Sequence, residues 1–264
     1  VFFSPPSSSK MATDPIYISK EDAMKKGLII TAVLVLLMLL LAVVGYAYSY
    51  GIYYASYADQ DTAFVIMNSG GSNTYYTLKV YDAYGSLIDA VSGDLDPFES
   101  DYQILSDIAG TTDTSWGLAL LETPGMLTVG VETFISDHWM ASDNVIDPIP
   151  DTKDYSYYWY GLNYSNTSSQ NTGIAIVNPN GSPAAATLKF YDAQGQMQYT
   201  VDVVLDPHET EYYSTSDILT ISTSMWGVVD VRGTMPLIVT AEYFTGDGTL
   251  MNVDQITHSY FNEY

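Results

Sequence analysis

The side chains able to do chemistry in this chain are narrow in kind: three histidines, no cysteine and a large excess of carboxylates. His138, His208 and His258 lie in separate segments with neither His-x-His nor i, i+4 spacing. A zinc or copper centre needs several nitrogen or sulfur ligands, which this set does not supply. Thiolate nucleophiles and disulfides are excluded outright. A Ser-His-Asp triad lacks the Gly-x-Ser-x-Gly elbow and any paired context for a histidine. Two carboxylates could flank a glycosidic bond, and Asp82 with Asp192 is a pair one could nominate. Each, however, stands in an Asp-Ala-x-Gly sequence, where Asp commonly caps a turn through its own side chain. No catalytic residue is expected.

Asp59, Asp61, Asp94, Asp96 and Asp247, the last within Gly-Asp-Gly, are loop carboxylates of the hard-oxygen type that calcium takes, without EF-hand spacing. Structural calcium is the one cofactor they could hold, and solvated loop acids are the plainer reading. Among the 24 tyrosines and 4 tryptophans, Tyr75, Tyr76, Trp139 and Trp159 are candidates for a flat platform that receives a sugar ring or a protein partner. Trp116 and Trp226 read as buried anchors. Asn163, Asn166 and Asn180 each open an Asn-x-Ser/Thr triplet, the acceptor pattern for N-glycosylation.

The formal charge is −23 over 264 residues. Lys10, Lys20, Lys25 and Lys26 precede residue 27, and only Lys79, Lys153, Lys189 and Arg232 follow it. So acidic a body repels phosphate backbones, so nucleic acid is not an expected partner. From Gly27 through Leu28, Leu36, Leu40 and Gly45 to Tyr46 the chain carries no charge and no proline, and about 20 such residues span a bilayer as a helix. The lysines before the run place the N-terminus in the cytoplasm and the remainder outside. A cleaved signal peptide and a pilin-type leader are the competing readings. The run is long for the first, and the acidic residue that usually follows a prepilin processing site is missing. Tyr46, Tyr48, Tyr50, Tyr53, Tyr54 and Tyr57 read as an interfacial belt, although Tyr48, Tyr50 and Tyr54 also belong to a repeat.

That repeat organises everything after the apolar run. Residues 48–137 align without a gap with residues 158–247, at an offset of 110 and with about a third of positions identical. TLKVYDAYG (77–85) matches TLKFYDAQG (187–195), Leu-Asp-Pro (95–97) matches 205–207, and Trp116-Gly117 matches Trp226-Gly227. Within each copy Phe64 and Ile66, or Leu78 and Val80, alternate with the two-residue period of a half-buried strand. Gly-rich and Asn/Asp-rich turns separate these runs. The expected fold is all-β, two tandem antiparallel sandwiches of about seven strands each behind one transmembrane helix. Past the membrane, no segment has helical periodicity. The boundaries are 1–19 cytoplasmic, 20–46 helix, 47–145 first repeat, 146–157 a Pro-containing linker and 158–264 second repeat.

The second copy, with YWYGLNY (158–164), a strand ending at Asn178-Pro179, a Gly turn at Gly195, Leu205-Asp206-Pro207 and a closing strand after Pro236, resembles the immunoglobulin-like repeats of bacterial and archaeal cell-surface proteins. The first copy departs from that pattern at Ser69 and Met126. The resemblance implies a structural or adhesive module and carries no catalytic residue. The expected partners are the lipid bilayer and other membrane or surface subunits, with a glycan the alternative. The expected function is scaffolding or an accessory role in a membrane or surface assembly, a surface filament included.

Overall fold

A computed structural model of the chain describes residues 48–56, 60–110, 115–135, 138–143, 146–149, 157–219, 225–256 and 258–261. The predicted membrane span, with its positions Gly27, Leu28, Leu36, Leu40, Gly45 and Tyr46, lies outside them. Among the described residues no helix is long and apolar enough to cross a membrane.

The first repeat runs β1 (Tyr48–Ser56), β2 (Gln60–Met67), β3 (Thr74–Asp82), β4 (Leu87–Leu95), β5 (Ser100–Ile104), α1 (Leu105–Ala109), β6 (Ser115–Thr123), β7 (Thr128–Ile135) and β8 (His138–Asp143). The second follows in the same order: β9 (Tyr157–Asn166), β10 (Gln170–Val177), β11 (Ala184–Asp192), β12 (Met197–Leu205), β13 (Thr210–Ser214), α2 (Thr215–Ile218), β14 (Met225–Gly233), β15 (Ile238–Thr245) and β16 (Leu250–Ile256). A further strand, β17 (His258–Phe261), closes it. The two short helices were not expected. Each is about one turn long, too short to show a periodicity in sequence.

All pairings are antiparallel. The first repeat has the sheets β1-β6-β3-β4 and β5-β2-β7-β8. The second has β12-β11-β14-β9, extended by β17, and β13-β10-β15-β16, joined through one β9–β10 pair, Asn166 with Asn171. Alternation along the strands turns one face of each sheet inward. Tyr50, Ile52, Phe64, Ile66, Leu78, Val80 and Val129 fill the first core. Tyr160, Leu162, Ile174, Ile176, Leu188, Phe190 and Val239 fill the second. Each such side chain contributes about 1.5–3 kcal/mol on burial. Tyr50 and Tyr160 repeat one device, in which the phenol oxygen accepts the backbone N–H of Leu127 (2.9 Å) or Leu237 (2.6 Å) and ties the loop before β7 or β15 to the first strand. Tyr50, Tyr53 and Tyr54 are all buried in protein, so they form no part of a membrane-facing belt.

The Trp-Gly pairs also have a common reason. A Cβ on Gly117 would collide with the Tyr81 carbonyl, and one on Gly227 with the Tyr191 carbonyl. Backbone cannot step aside as a side chain can, so Gly227→Ala is expected to lower unfolding stability by about 1–3 kcal/mol. Gly161→Ala, with nothing within 4 Å of its new methyl, should be neutral or slightly stabilising. Denaturant melts of the two variants that coincide would refute this account.

Candidate functional site

The nominated acids serve the turns. Asp82 Oδ1 accepts the N–H groups of Tyr84 (2.9 Å) and Ser86 (2.8 Å). Asp192 Oδ1 does the same for Gln194 and Gln196, both at 2.9 Å. Asp96 accepts from Asn73 (2.6 Å). The Asp247 carboxyl sits below the usual carboxylate range because the Thr245 hydroxyl and Thr249 donate to it. Asp61 lies on β2 and Asp94 on β4, while Asp59 falls outside the described residues. Among those residues no three His, Asp or Glu side chains are grouped as a metal would need.

The nominated aromatic residues do not form one platform. Consecutive strand residues point to opposite faces. Tyr75 is therefore 41% exposed, while Tyr76 is fully buried and donates its hydroxyl to Asp101. That placement removes Tyr76 from any surface. Trp159 on β9 is partly exposed; Trp139 lies on β8, and its side chain falls outside the description. Trp226, expected in the core, is 65% exposed. Of the sequon asparagines, Asn163 is exposed, whereas Asn166 is buried with its amide donating to the carbonyls of Thr215 (3.3 Å) and Leu219 (3.4 Å). Asn180 donates to Pro236 O at 2.8 Å. A buried amide nitrogen is closed to glycosylation in the folded chain, so Asn166 drops out as an acceptor.

What the structure builds instead is a joint between the repeats. The outer face of β1, β3 and β6 presents Tyr53, Ala55, Tyr81, Leu118 and Leu120 to Ala175, Val177 and Ile238 on the outer face of β10 and β15. Trp116, Tyr212 and Ile149 pack at its margin. Consequently β1 is buried on both faces, whereas its counterpart β9 alternates buried and exposed. Gly51 lets the two faces approach closely here, since a Cβ would press on Ile238 Cδ1. His208, at φ 66°, stacks on Tyr81 with ring centroids 4.3 Å apart. Burial first, and then the Lys79 charge, push its imidazole below the ordinary histidine value. Thr210 N donates to Ala83 O (2.9 Å) and Gln255 Nε2 to Gly51 O (3.0 Å). The predicted linker also takes part. Ile146 is buried in the first core, and Ile149 N donates to Ser49 O at 2.6 Å.

Inside this joint lies Glu242, 1% exposed. Burial raises its carboxyl to about 7, against the opposing pull of the neighbouring Tyr212 and Tyr53 hydroxyls. A void of about 10 Å³, with Tyr53, Gln60, Thr133, Thr240 and Gln255 among its lining, opens beside it. That is room for about one water molecule and for no organic substrate. Sequence reading missed Glu242 because a glutamate stands at the equivalent place in both copies, Glu132 and Glu242, each two residues before a phenylalanine. Glu132 is only half-buried and receives the Tyr102 hydroxyl at 2.9 Å.

No family model matches the chain, and neither does a curated relative. Among solved structures, a calcium-binding mutant of Bacteroides uniformis β-glucuronidase 2 is similar at 11% identity and a TM-score of 0.19, over 81% of this chain and 26% of that one. A putative β-galactosidase from Bacteroides fragilis matches at 11% and 0.16, over 81% and 33%. A glycosyl hydrolase family 2 member from Bacteroides cellulosilyticus matches at 7% and 0.17, over 80% and 28%. The chain spans a third or less of each of these proteins. Likenesses at such scores carry no argument about fold or activity.

Proposed function

We propose that this chain is a non-catalytic structural subunit, held in a membrane by residues 27–46, whose tandem β-sandwiches stand on the extracytoplasmic side and scaffold a membrane or cell-surface assembly. The observation that carries the reading is the buried apolar joint, which fuses four β-layers into one body with aromatic and aliphatic side chains still exposed on both outer sheets. The carboxyl enclosed in that joint has no room for a substrate. Support for the anchor comes from the uncharged run after Lys25 and Lys26. In sequence only Ala47 separates that run from β1, which begins at Tyr48, a spacing that suits a subunit held close to its neighbours.

Purification from native membranes in a gentle detergent should deliver the chain within a larger complex, and a lone monomer there would overturn the reading. Glycan binding is a second reading, favoured by the exposed Trp159 and Trp226 side chains on the outer sheet of the second repeat. It requires binding on a glycan array that Trp159→Ala abolishes.

A further inference from the structure

The joint between the repeats is heterologous: one outer face of the first repeat meets the other kind of outer face of the second. Shifting each side by 110 residues, into the other repeat, lands on two faces that hold exposed large side chains among the described residues. One is the outer face of β9, β11 and β14 in the second repeat. The other is the outer face of β2, β5 and β7 in the first.

Those faces still hold the counterparts of the joint's residues. Trp116, packed at the joint, corresponds to Trp226, which is 65% exposed. Tyr81, the platform under His208, corresponds to Tyr191. His208 itself corresponds to Phe98, which takes the same left-handed backbone (φ 65° against 66°) and is 76% exposed. A bulky residue at positive φ is strained, and here the strained turn holds an aromatic ring out into solvent. Ala175, Val177 and Tyr212 correspond to Val65, Met67 and Tyr102, the last two exposed. Gly51, packed directly beneath the Ile238 side chain, corresponds to Gly161, which has open space above it. Glycine within a strand often marks a bulge or the close approach of a ligand or another backbone, and among the described residues no atom approaches this one.

We propose that the protein associates head to tail with copies of itself, the β9-β11-β14 face of one copy seating the β2-β5-β7 face of the next in the geometry of the internal joint, with Phe98 stacked on Tyr191 of its neighbour. A heterologous contact repeated in this way builds an open-ended row or a ring rather than a two-fold pair. The proposal rests on the reading of the chain as a structural subunit and names its partner. Four joint positions become more polar at the equivalent faces: Tyr53, Ala55, Leu120 and Ile238 give way to Asn163, Ser165, Asp230, which is buried against Arg232, and Thr128. A less apolar core suits two surfaces that must also exist exposed to water before they meet.

The test uses the full chain in detergent with ~0.5 M salt, which shortens the reach of its acidic self-repulsion to a few ångströms. Sedimentation velocity over a concentration series should show species growing beyond two copies. Trp226→Glu and Phe98→Glu, each at an exposed position, should weaken association about tenfold or more, with melting curves unchanged. A mixture of the two variants should recover one contact and stop at a 1:1 dimer, since each retains the face that the other lacks. The chain has no native cysteine, so Phe98→Cys mixed with Tyr191→Cys should join through a short bis-maleimide even if the glutamate variants fail to fold. Wild type that stays monomeric, an assembly that stops at a two-fold dimer, or no cross-link in the cysteine mixture would each overturn the proposal. If the chain is monomeric alone but held by other proteins in native membranes, self-association falls and the structural reading stands. If it runs alone there as well, both fall.

Discussion

Glu242→Gln is expected to stabilise the folded chain by about 3 kcal/mol near pH 8 and to change it little below pH 5. An ordinary glutamate gives up its proton near 4.5, whereas the folded chain holds the Glu242 proton to about 7. Between those values the folded state binds more proton than the unfolded one. Stability therefore falls as pH rises through this window, and the loss is complete above about 7. An amide fills the same space without a charge to bury, so the variant should lose that slope. Asp101 works in the opposite sense at lower pH. Burial tends to raise its carboxyl, but hydrogen bonds from Tyr76, Gln103 and the Tyr102 N–H outweigh it and hold the group low. Its contribution is present at neutral pH and is lost in acid. Urea melts of wild type and Glu242→Gln at pH 5, 6, 7 and 8 separate the two effects. Parallel pH profiles would mean that Glu242 does not titrate in the joint.

Asn178→Ala is expected to cost about 3–5 kcal/mol, since several buried polar groups lose their partner at about 1–3 kcal/mol each. Asn178 is fully buried. Its amide donates to the carbonyls of Ser182 (2.8 Å), Asp206 (2.9 Å) and Leu205 (3.3 Å), and its Oδ1 accepts from the N–H (3.0 Å) and side-chain amide (2.7 Å) of Asn180. One side chain thus satisfies the turn after β10 and the end of β12 together. Asn68 repeats the arrangement on Ser72, Leu95, Asp96 and Gly70. Asn68→Ala should therefore cost a similar amount, and a loss under about 1 kcal/mol in both variants would show that water replaces the network.

Much of this was legible in the chain because it depends on neighbours in sequence. The gapless duplication, the alternation in β3 and β11, and the capping of turns by Asp82 and Asp192 involve residues a few positions apart. That β1 is covered on both faces and β9 on one was not legible, since both share Tyr-x-Tyr-Gly at 48–51 and 158–161. Trp226 was misread because Trp-Gly occurs in both copies, and identical dipeptides cannot reveal which copy is covered.

The sequence by itself determined two copies of one antiparallel β-unit, their turn chemistry and the lack of cysteine and clustered histidine. Only the tertiary structure decided which equivalents are buried: Glu242 but not Glu132, Trp116 more than Trp226, the ring of His208 stacked while that of Phe98 is exposed. The physical reason is that ionisation and exposure follow from atoms brought together across the chain. At the joint, Gln255 reaches Gly51 over a separation of 204 residues, and no local pattern encodes that meeting.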